Sequence, residues 1–487
     1  MPKTLKKGVI FCIAALLSGC ASIQLNNLFS DYATSQKPVR AAINAGNVKS
    51  AQSILEQPTA GNTNYQLAML EQGRLAFLAE DTKQSQWWFN QSYQALESER
   101  AKAKIRLGKG VEKFNTLVTN DNAISYQPPA YEQSMMHSYQ ALNYVFQHDL
   151  EGALVEVRRA NFVQEQALKQ YEDELLEASE SAGIDASYIN NAAATLNSRV
   201  GDVKNGFQNA YTFYLSGLLY EAAGELNDAY IDYKRAIEIY PENEYLQRDV
   251  LRLGSVLGMQ TDLEAFEKQF SVKTSDVLSA KPTANEGQLV VIYEQGLVDA
   301  KIEKSVRLPI FTSSNDMRFY SVSIPSYSAR SQSLAPLTLN VQGTSDSNTA
   351  KAAKGKDWVI NTQPIVNLQA LVAKQLQDSM PGMLSRQVLR LVAKEQVRRK
   401  LSKEAGDVGN ILAGIYSMAS ERADTRSWLT LPADVQISRA NLAAGAHSIA
   451  FNNVNVAATE VNIVPGKITL MLVTAAGQFS TVRTVTL

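Results

Sequence analysis

Two hydrophobic rhythms divide the chain. Up to about residue 270, apolar and small residues recur three or four apart, the spacing of one helix face; beyond residue 288, short β-branched runs alternate with polar residues. The clearest helical unit is residues 210–243, AYTFYLSGLLYEAAGELNDAYIDYKRAIEIYPEN. Phe213, Gly217, Tyr220, Ala229, Tyr233, Ala236 and Pro241 fall where a tetratricopeptide repeat carries large, small, aromatic, small, aromatic, small and proline. The small residues let two helices approach, the tyrosines fill the gaps beside them, and Pro241 stops the second helix. Two weaker copies share the spacing: one around Gly73 with Ser85, Phe89 and Ser92, the other around Ala141 with Tyr144, Ala153, Val157 and Ala160. Gly73 and Ala141 stand 68 residues apart, twice the tetratricopeptide period, whereas the 76 residues from Ala141 to Gly217 require an insertion or longer helices. Helix pairs over 31–57 and 244–270 flank these units, which predicts an α-solenoid of roughly four to six pairs.

The polar stretch 271–287 reads as a linker. Past it, strands are predicted at 288–293, 318–324, 337–342, 433–439, 447–453, 458–464, 467–474 and 479–487. Many short strands with brief turns predict an antiparallel β-sandwich-like domain, interrupted by a helical insertion at about 365–420. The expected fold is therefore α+β: a signal segment 1–19, a solenoid 20–284 and a β-rich domain 285–487.

The signal segment has its own pattern. Lys3, Lys6 and Lys7 precede a nine-residue apolar run, Val9 to Leu17, too short for the ~20 residues that span a bilayer. Leu17-Ser18-Gly19-Cys20 then matches the bacterial lipobox, in which the cysteine thiol is acylated and the chain is cut just before it. Two or more acyl chains make such an anchor stable. Ala21, rather than Asp, follows Cys20 and favours outer-membrane delivery in Gram-negative sorting. Cleavage removes Cys12 and lipidation consumes Cys20, so no free thiol or disulfide is expected in the mature chain.

Charge refines the division. The 487 residues carry 47 Lys+Arg and 48 Asp+Glu, which gives no bulk drive toward nucleic acid. Residues 285–487 hold 21 basic and 15 acidic side chains, so an acidic helical half precedes a basic β half. Three scattered histidines, His137, His148 and His447, exclude a His-rich metal site, and neither metal nor cofactor is expected. Arg386, Arg390, Lys394 and Arg398 recur every four residues and form a candidate basic face, for a lipid surface, peptidoglycan or the acidic half; the favoured reading is a helical hairpin that covers an open face of the sheet, its charges solvated. Asp424, Arg426 and Trp428 form a candidate junction motif where the insertion re-enters the sheet; such a group is more often a satisfied turn, with Asp424 capping or pairing Arg426 while Trp428 packs below. Trp87-Trp88-Phe89 is an aromatic cluster readable as a sugar or peptide binder, but the packing reading is the stronger: Phe89 occupies a packing position of the repeat, with one tryptophan expected in the core and the other exposed.

The lipobox, YQALNYVFQHDLEGALVEVRRA (139–160), LVVIYEQG (289–296) and ADTRSWLTLPADVQISR (423–439) together resemble uncharacterised tetratricopeptide-containing outer-membrane lipoproteins of Gram-negative bacteria. The resemblance spans most of the chain. It implies a place near lipoproteins that activate penicillin-binding proteins, hence in cell-envelope assembly, and it carries over no catalytic residue. The chain lacks HExxH, G-x-S-x-G, P-loop and GxGxxG motifs. The expectation is a non-enzymatic, lipid-anchored periplasmic adaptor that binds envelope proteins through its repeats. A component of an outer-membrane export machine is the alternative; a peptidoglycan hydrolase built on two unmarked carboxylates is the third reading.

Overall fold

The computed structural model describes residues 31–107, 122, 124–181, 186–279, 282–311, 317–329, 335–343, 358–392 and 422–487. Leu17, Ser18, Gly19, Cys20, Lys394 and Arg398 lie outside these residues.

The helical part opens with three short helices, α1 (Tyr32–Ser35), α2 (Lys37–Asn44) and α3 (Val48–Ile54). Hairpin pairs follow: α4 (Tyr65–Leu78) with α5 (Thr82–Leu107), and α6 (Ala130–Val145) with α7 (Leu150–Ser181). After α8 (Ala186–Val200) come α9 (Ala210–Ala222) with α10 (Leu226–Ile239), α11 (Glu244–Leu257) with α12 (Gln260–Phe270), and the short α13 (Thr274–Ser279). α8 and α13 were not anticipated, and α13 turns part of the expected linker into helix.

Small residues set the closest approaches. A Cβ added at Gly73 would stand 2.5 Å from the Phe89 ring, and one at Gly217 would stand 2.7 Å from the Tyr233 ring. Ser85 donates its hydroxyl to the Gly73 carbonyl at 2.9 Å, fastening α5 to α4. Phe89, Ala141, Ala153, Ala160, Tyr220, Ala229, Tyr233 and Ala236 are buried around the same crossings, and half-buried Pro241 follows the end of α10. α4, α6 and α9 are buried around most of their circumference, which demands partners on two sides. Their second side is the β part.

That part contains β1 (Glu286–Gln295), β2 (Ile302–Phe311), β3 (Met317–Ser326), β4 (Thr338–Gly343), β5 (Trp358–Asn361), β6 (Gln363–Asn367), β7 (Asp434–Ala443), β8 (Gly445–Asn452), β9 (Thr459–Ile463), β10 (Ile468–Ala476) and β11 (Phe479–Thr486). One sheet runs β11-β10-β1-β7-β6, another runs β5-β4-β8-β9, and β2 and β3 form a separate ladder. β1 pairs parallel with β10 and antiparallel with β7, which corrects the expectation of a purely antiparallel domain. β2, β5 and β6 escaped the sequence pattern. Two of them are only four and five residues long, and Pro309 interrupts the third.

The five-stranded sheet is buried on both faces because its strands alternate between two cores. Leu289, Val291, Tyr293, Met471 and Val473 meet Leu339, Val341 and Ile449 of the four-stranded sheet. Val290, Ile292, Leu470 and Leu472 join the core that also contains Phe89, Tyr139, Tyr214 and Leu218 of the helices. The change near residue 285 is thus a change of secondary structure within one continuous core. The expected insertion begins with β6, which pairs with β7, and continues as helix over residues 368–392. In that helix Arg386 is exposed but Arg390 is only 5% exposed, so those two members of the basic face do not both reach solvent.

Gly217→Leu should overpack the α9–α10 crossing by about 1–3 kcal/mol. A lower urea midpoint for the whole chain is the expected result.

Candidate functional site

Residues 424–433 cross the face of α4 and α6 without regular secondary structure, and most of this stretch is buried. Buried backbone needs partners for its N–H and C=O groups, and here side chains from elsewhere supply them. Glu132 accepts the Trp428 N–H at 2.8 Å and Glu71 accepts the Leu429 N–H at 2.7 Å. Arg40 donates to the Leu429 carbonyl at 2.7 Å, and Lys301 to the Arg426 carbonyl at 2.8 Å. Tyr126 and Tyr131 donate to Glu132 at 2.7 and 3.1 Å, and Thr430 donates its hydroxyl to Glu71 at 2.5 Å.

The three junction residues lie together in this segment. Asp424 accepts the Arg426 backbone N–H at 3.0 Å and two guanidinium bonds at 2.8 and 2.7 Å. Arg426 also reaches the Ile124 carbonyl at 2.9 Å. Trp428 is fully buried, its ring tilted against Phe89 and Tyr139 with centroids 5.8 and 5.9 Å away. Its indole N–H donates to the Thr430 hydroxyl at 3.0 Å.

Beneath the segment, Arg74 of α4 meets Glu294 of β1 at 2.7 Å, with both side chains buried. Tyr139 and Thr474 donate to the same carboxylate at 2.8 and 3.0 Å, and the Arg74 guanidinium lies 4.3 Å from the Tyr139 ring centroid. Some distance along the helices, Arg439 of β7 bonds Glu221 of α9 at 2.8 Å and Asp249 of α11 at 3.0 Å, and Arg252 joins Glu221 at 2.7 Å. The sequence offered the helix containing Arg386 as one place where the two halves could meet by charge, with a lipid surface or peptidoglycan as the other candidates. Among the described residues, Arg439 is one place where they do.

Burial pushes the Glu71 carboxyl up from 4.5 to about 7, only partly offset by its bonds from Thr430 and Leu429. Burial likewise raises Glu132, and it lifts Asp434 to about 6. Burial also opposes the charge on Glu221, but Arg439 and Arg252 outweigh it and hold that carboxyl down to about 2. A raised carboxyl suggests a general acid. Both oxygens of Glu71, however, are engaged by the segment, and its side chain is wholly buried. The arrangement holds a peptide; it does not open to a substrate.

A cavity of about 310 Å³ lies beside this region, lined by Arg40, Asn44, Gly296, Leu297, Asp299 and Gly477. Its two charged groups are engaged: Arg40 with the Val298 and Leu429 carbonyls, Asp299 with Arg199. Among the described residues, no group of three or more His, Cys, Asp or Glu side chains is placed to hold a metal ion. Sequence reasoning missed Glu71, Arg74, Glu132, Glu294 and Arg439. For Glu71 and Arg74 the signal was present, two charges inside the otherwise apolar LAMLEQGRLAFL. No protein-family profile and no curated protein matches the chain.

Trp428→Ala should cost about 3–5 kcal/mol, because the cavity opens between α4, α5 and α6 rather than at a surface. The check is chemical unfolding followed by near-UV circular dichroism. Folded Glu71 binds its proton more tightly than the unfolded chain does, so its contribution to stability is complete below about pH 4.5 and is lost as pH rises through about 7. Relative to wild type, Glu71→Gln should therefore flatten the fall in unfolding midpoint across that window.

Proposed function

We propose that the chain is a lipid-anchored scaffold of the bacterial outer membrane. In this reading it faces the periplasm and binds protein partners during cell-envelope assembly. Its helix pairs are tetratricopeptide-like and its two larger sheets form a β-sandwich-like unit. The close approaches at Gly73–Phe89 and Gly217–Tyr233, and the core shared by the two sheets, support this.

One observation carries the reading. The best-placed acidic pair, Glu71 and Glu132, is committed to backbone N–H groups of the chain's own segment at 2.7 and 2.8 Å. Groups spent on holding structure favour a framework over an acid–base catalyst. The same observation relocates the partner surface. The faces of α4 and α6 that would receive a foreign peptide are filled from within, so partners meet the second helices of the pairs. There Val155 and Phe162 of α7 and Ile231 of α10 stand about half exposed among charged neighbours.

Two experiments test the proposal. Cys20→Ser should lose acyl labelling and release the chain from the outer-membrane fraction; an acylated Cys20→Ser variant would refute the anchor. A photo-crosslinker at Phe162 should capture an envelope protein in cells. Release of soluble fragments from purified sacculi by the wild-type chain would overturn the scaffold in favour of a hydrolase, and recovery of a transport channel would favour export.

A further inference from the structure

α5 has two unlike faces. Ser85, Phe89, Ser92 and Leu96 point into the core and are buried. The outer face repeats at the same helical spacing: Gln84, Trp87, Trp88, Gln91, Gln94, Ala95 and Ser98. Residues 84–96, QSQWWFNQSYQAL, contain no charged side chain, in a protein that is 20% charged; the exposed Lys83 and Glu97 bound the stretch. A solvated helix face ordinarily carries Lys and Glu, as the outer faces of α7 and α10 do with Arg158, Glu165, Lys234 and Arg235. α5 carries tryptophan and glutamine there instead.

The two tryptophans are arranged rather than scattered. Trp87 is 50% exposed, and its ring meets the half-buried Trp88 edge-on, with centroids 4.5 Å apart and planes at 74°. Trp88 therefore braces Trp87, which limits the side-chain entropy lost when a ligand covers it. Among the described residues, the side-chain amides of Gln84, Gln91 and Gln94 take part in no hydrogen bond, so each keeps two donors and one acceptor for a ligand. The helix beneath is fixed by Phe89 against Trp428 and by the Ser85 bond to Gly73.

We propose that this face of α5 binds a neutral glycan chain. A pyranose ring offers an apolar face of C–H groups and an edge of hydroxyls. An exposed indole fits the first, and uncharged amides on either side fit the second. The exposed Lys83 stands one turn before Trp87, but residues 84–96 add no second cation, whereas anionic lipid surfaces and acidic partners are ordinarily held by clusters of them. A wholly apolar partner helix would bury three glutamine amides without acceptors, at a cost. The inference rests on α5 alone and does not require the scaffold reading.

The test uses the full-length chain in a non-glycosidic detergent, with the hexamer of N-acetylglucosamine as probe. Iodide quenching of tryptophan emission should fall saturably as sugar is added, with the buried Trp428 as an internal reference. Trp87→Ala should weaken binding at least about tenfold. The double variant Gln84→Ala/Gln91→Ala should weaken it several-fold. Phe162→Ala, which removes a comparably exposed aromatic from α7, should bind as wild type does. Because Trp87 is half exposed, its variant should unfold at the wild-type midpoint. Absence of saturable protection, or wild-type affinity in Trp87→Ala, overturns the proposal. Protection of Trp87 by phosphatidylethanolamine–phosphatidylglycerol vesicles but not by the hexamer also overturns it, as does self-association that Trp87→Ala abolishes.

Discussion

The structure depends on one constraint: an irregular backbone segment is buried, and its polar groups must be satisfied there. An unpaired buried N–H costs about 1–3 kcal/mol, so residues 426–430 fix what α4 and α6 must carry. Glu71 and Glu132 sit on those helices to take two N–H groups, and Arg40 and Lys301 take two carbonyls. Carboxylates placed so deep are themselves expensive. Tyr126, Tyr131 and Thr430 lessen the expense at Glu132 and Glu71 by donating to them. A pair of helices whose inner faces are polar at these positions is already fitted to its own chain.

The same logic explains the electrostatics. A nearly neutral chain hides an acidic helical half and a basic β half, and the imbalance is resolved in part by buried contacts. Arg439 enters between Glu221 and Asp249, where Arg252 also lies, so that two cations and two anions neutralise one another away from water. Buried pairs of this kind add little net stability, since desolvation offsets most of the attraction, but losing one partner strands the other. Their effect is to fix register: β7 fits against α9 and α11 in the position that pairs these groups.

What the sequence made legible follows from the range of each interaction. The Gly217–Tyr233 crossing lies within one hairpin, so local spacing revealed it. β1 and β10 announced themselves as β-branched runs. Their parallel pairing did not, because it joins residues about 180 positions apart and leaves no local trace. Asp424, Arg426 and Trp428 were recognisable as a unit, since the Asp424–Arg426 pair closes over two residues. The groups that receive the segment were invisible for the opposite reason. Glu71 and Trp428 are joined only through the fold, and a glutamate in a helix reads as a solvated charge until both sides of that helix prove to be covered. Arg390 was misjudged in the same way, because periodicity placed it on a stripe without revealing that it is buried.

Distance along the chain also governs assembly. Glu294 lies in β1, yet its partners are Arg74, Tyr139 and Thr474, drawn from both ends of the sequence. Arg74 is buried as a charge and is satisfied in part by the Thr430 carbonyl, 356 residues away. Contacts of this range require loop closure over hundreds of residues, which slows folding as a rule. The helical half is one wall of a shared core, and residues 428–439, far along the chain, complete the environment of its buried carboxylates: Trp428, Leu429 and Thr430 for Glu132 and Glu71, Arg439 for Glu221 and Asp249.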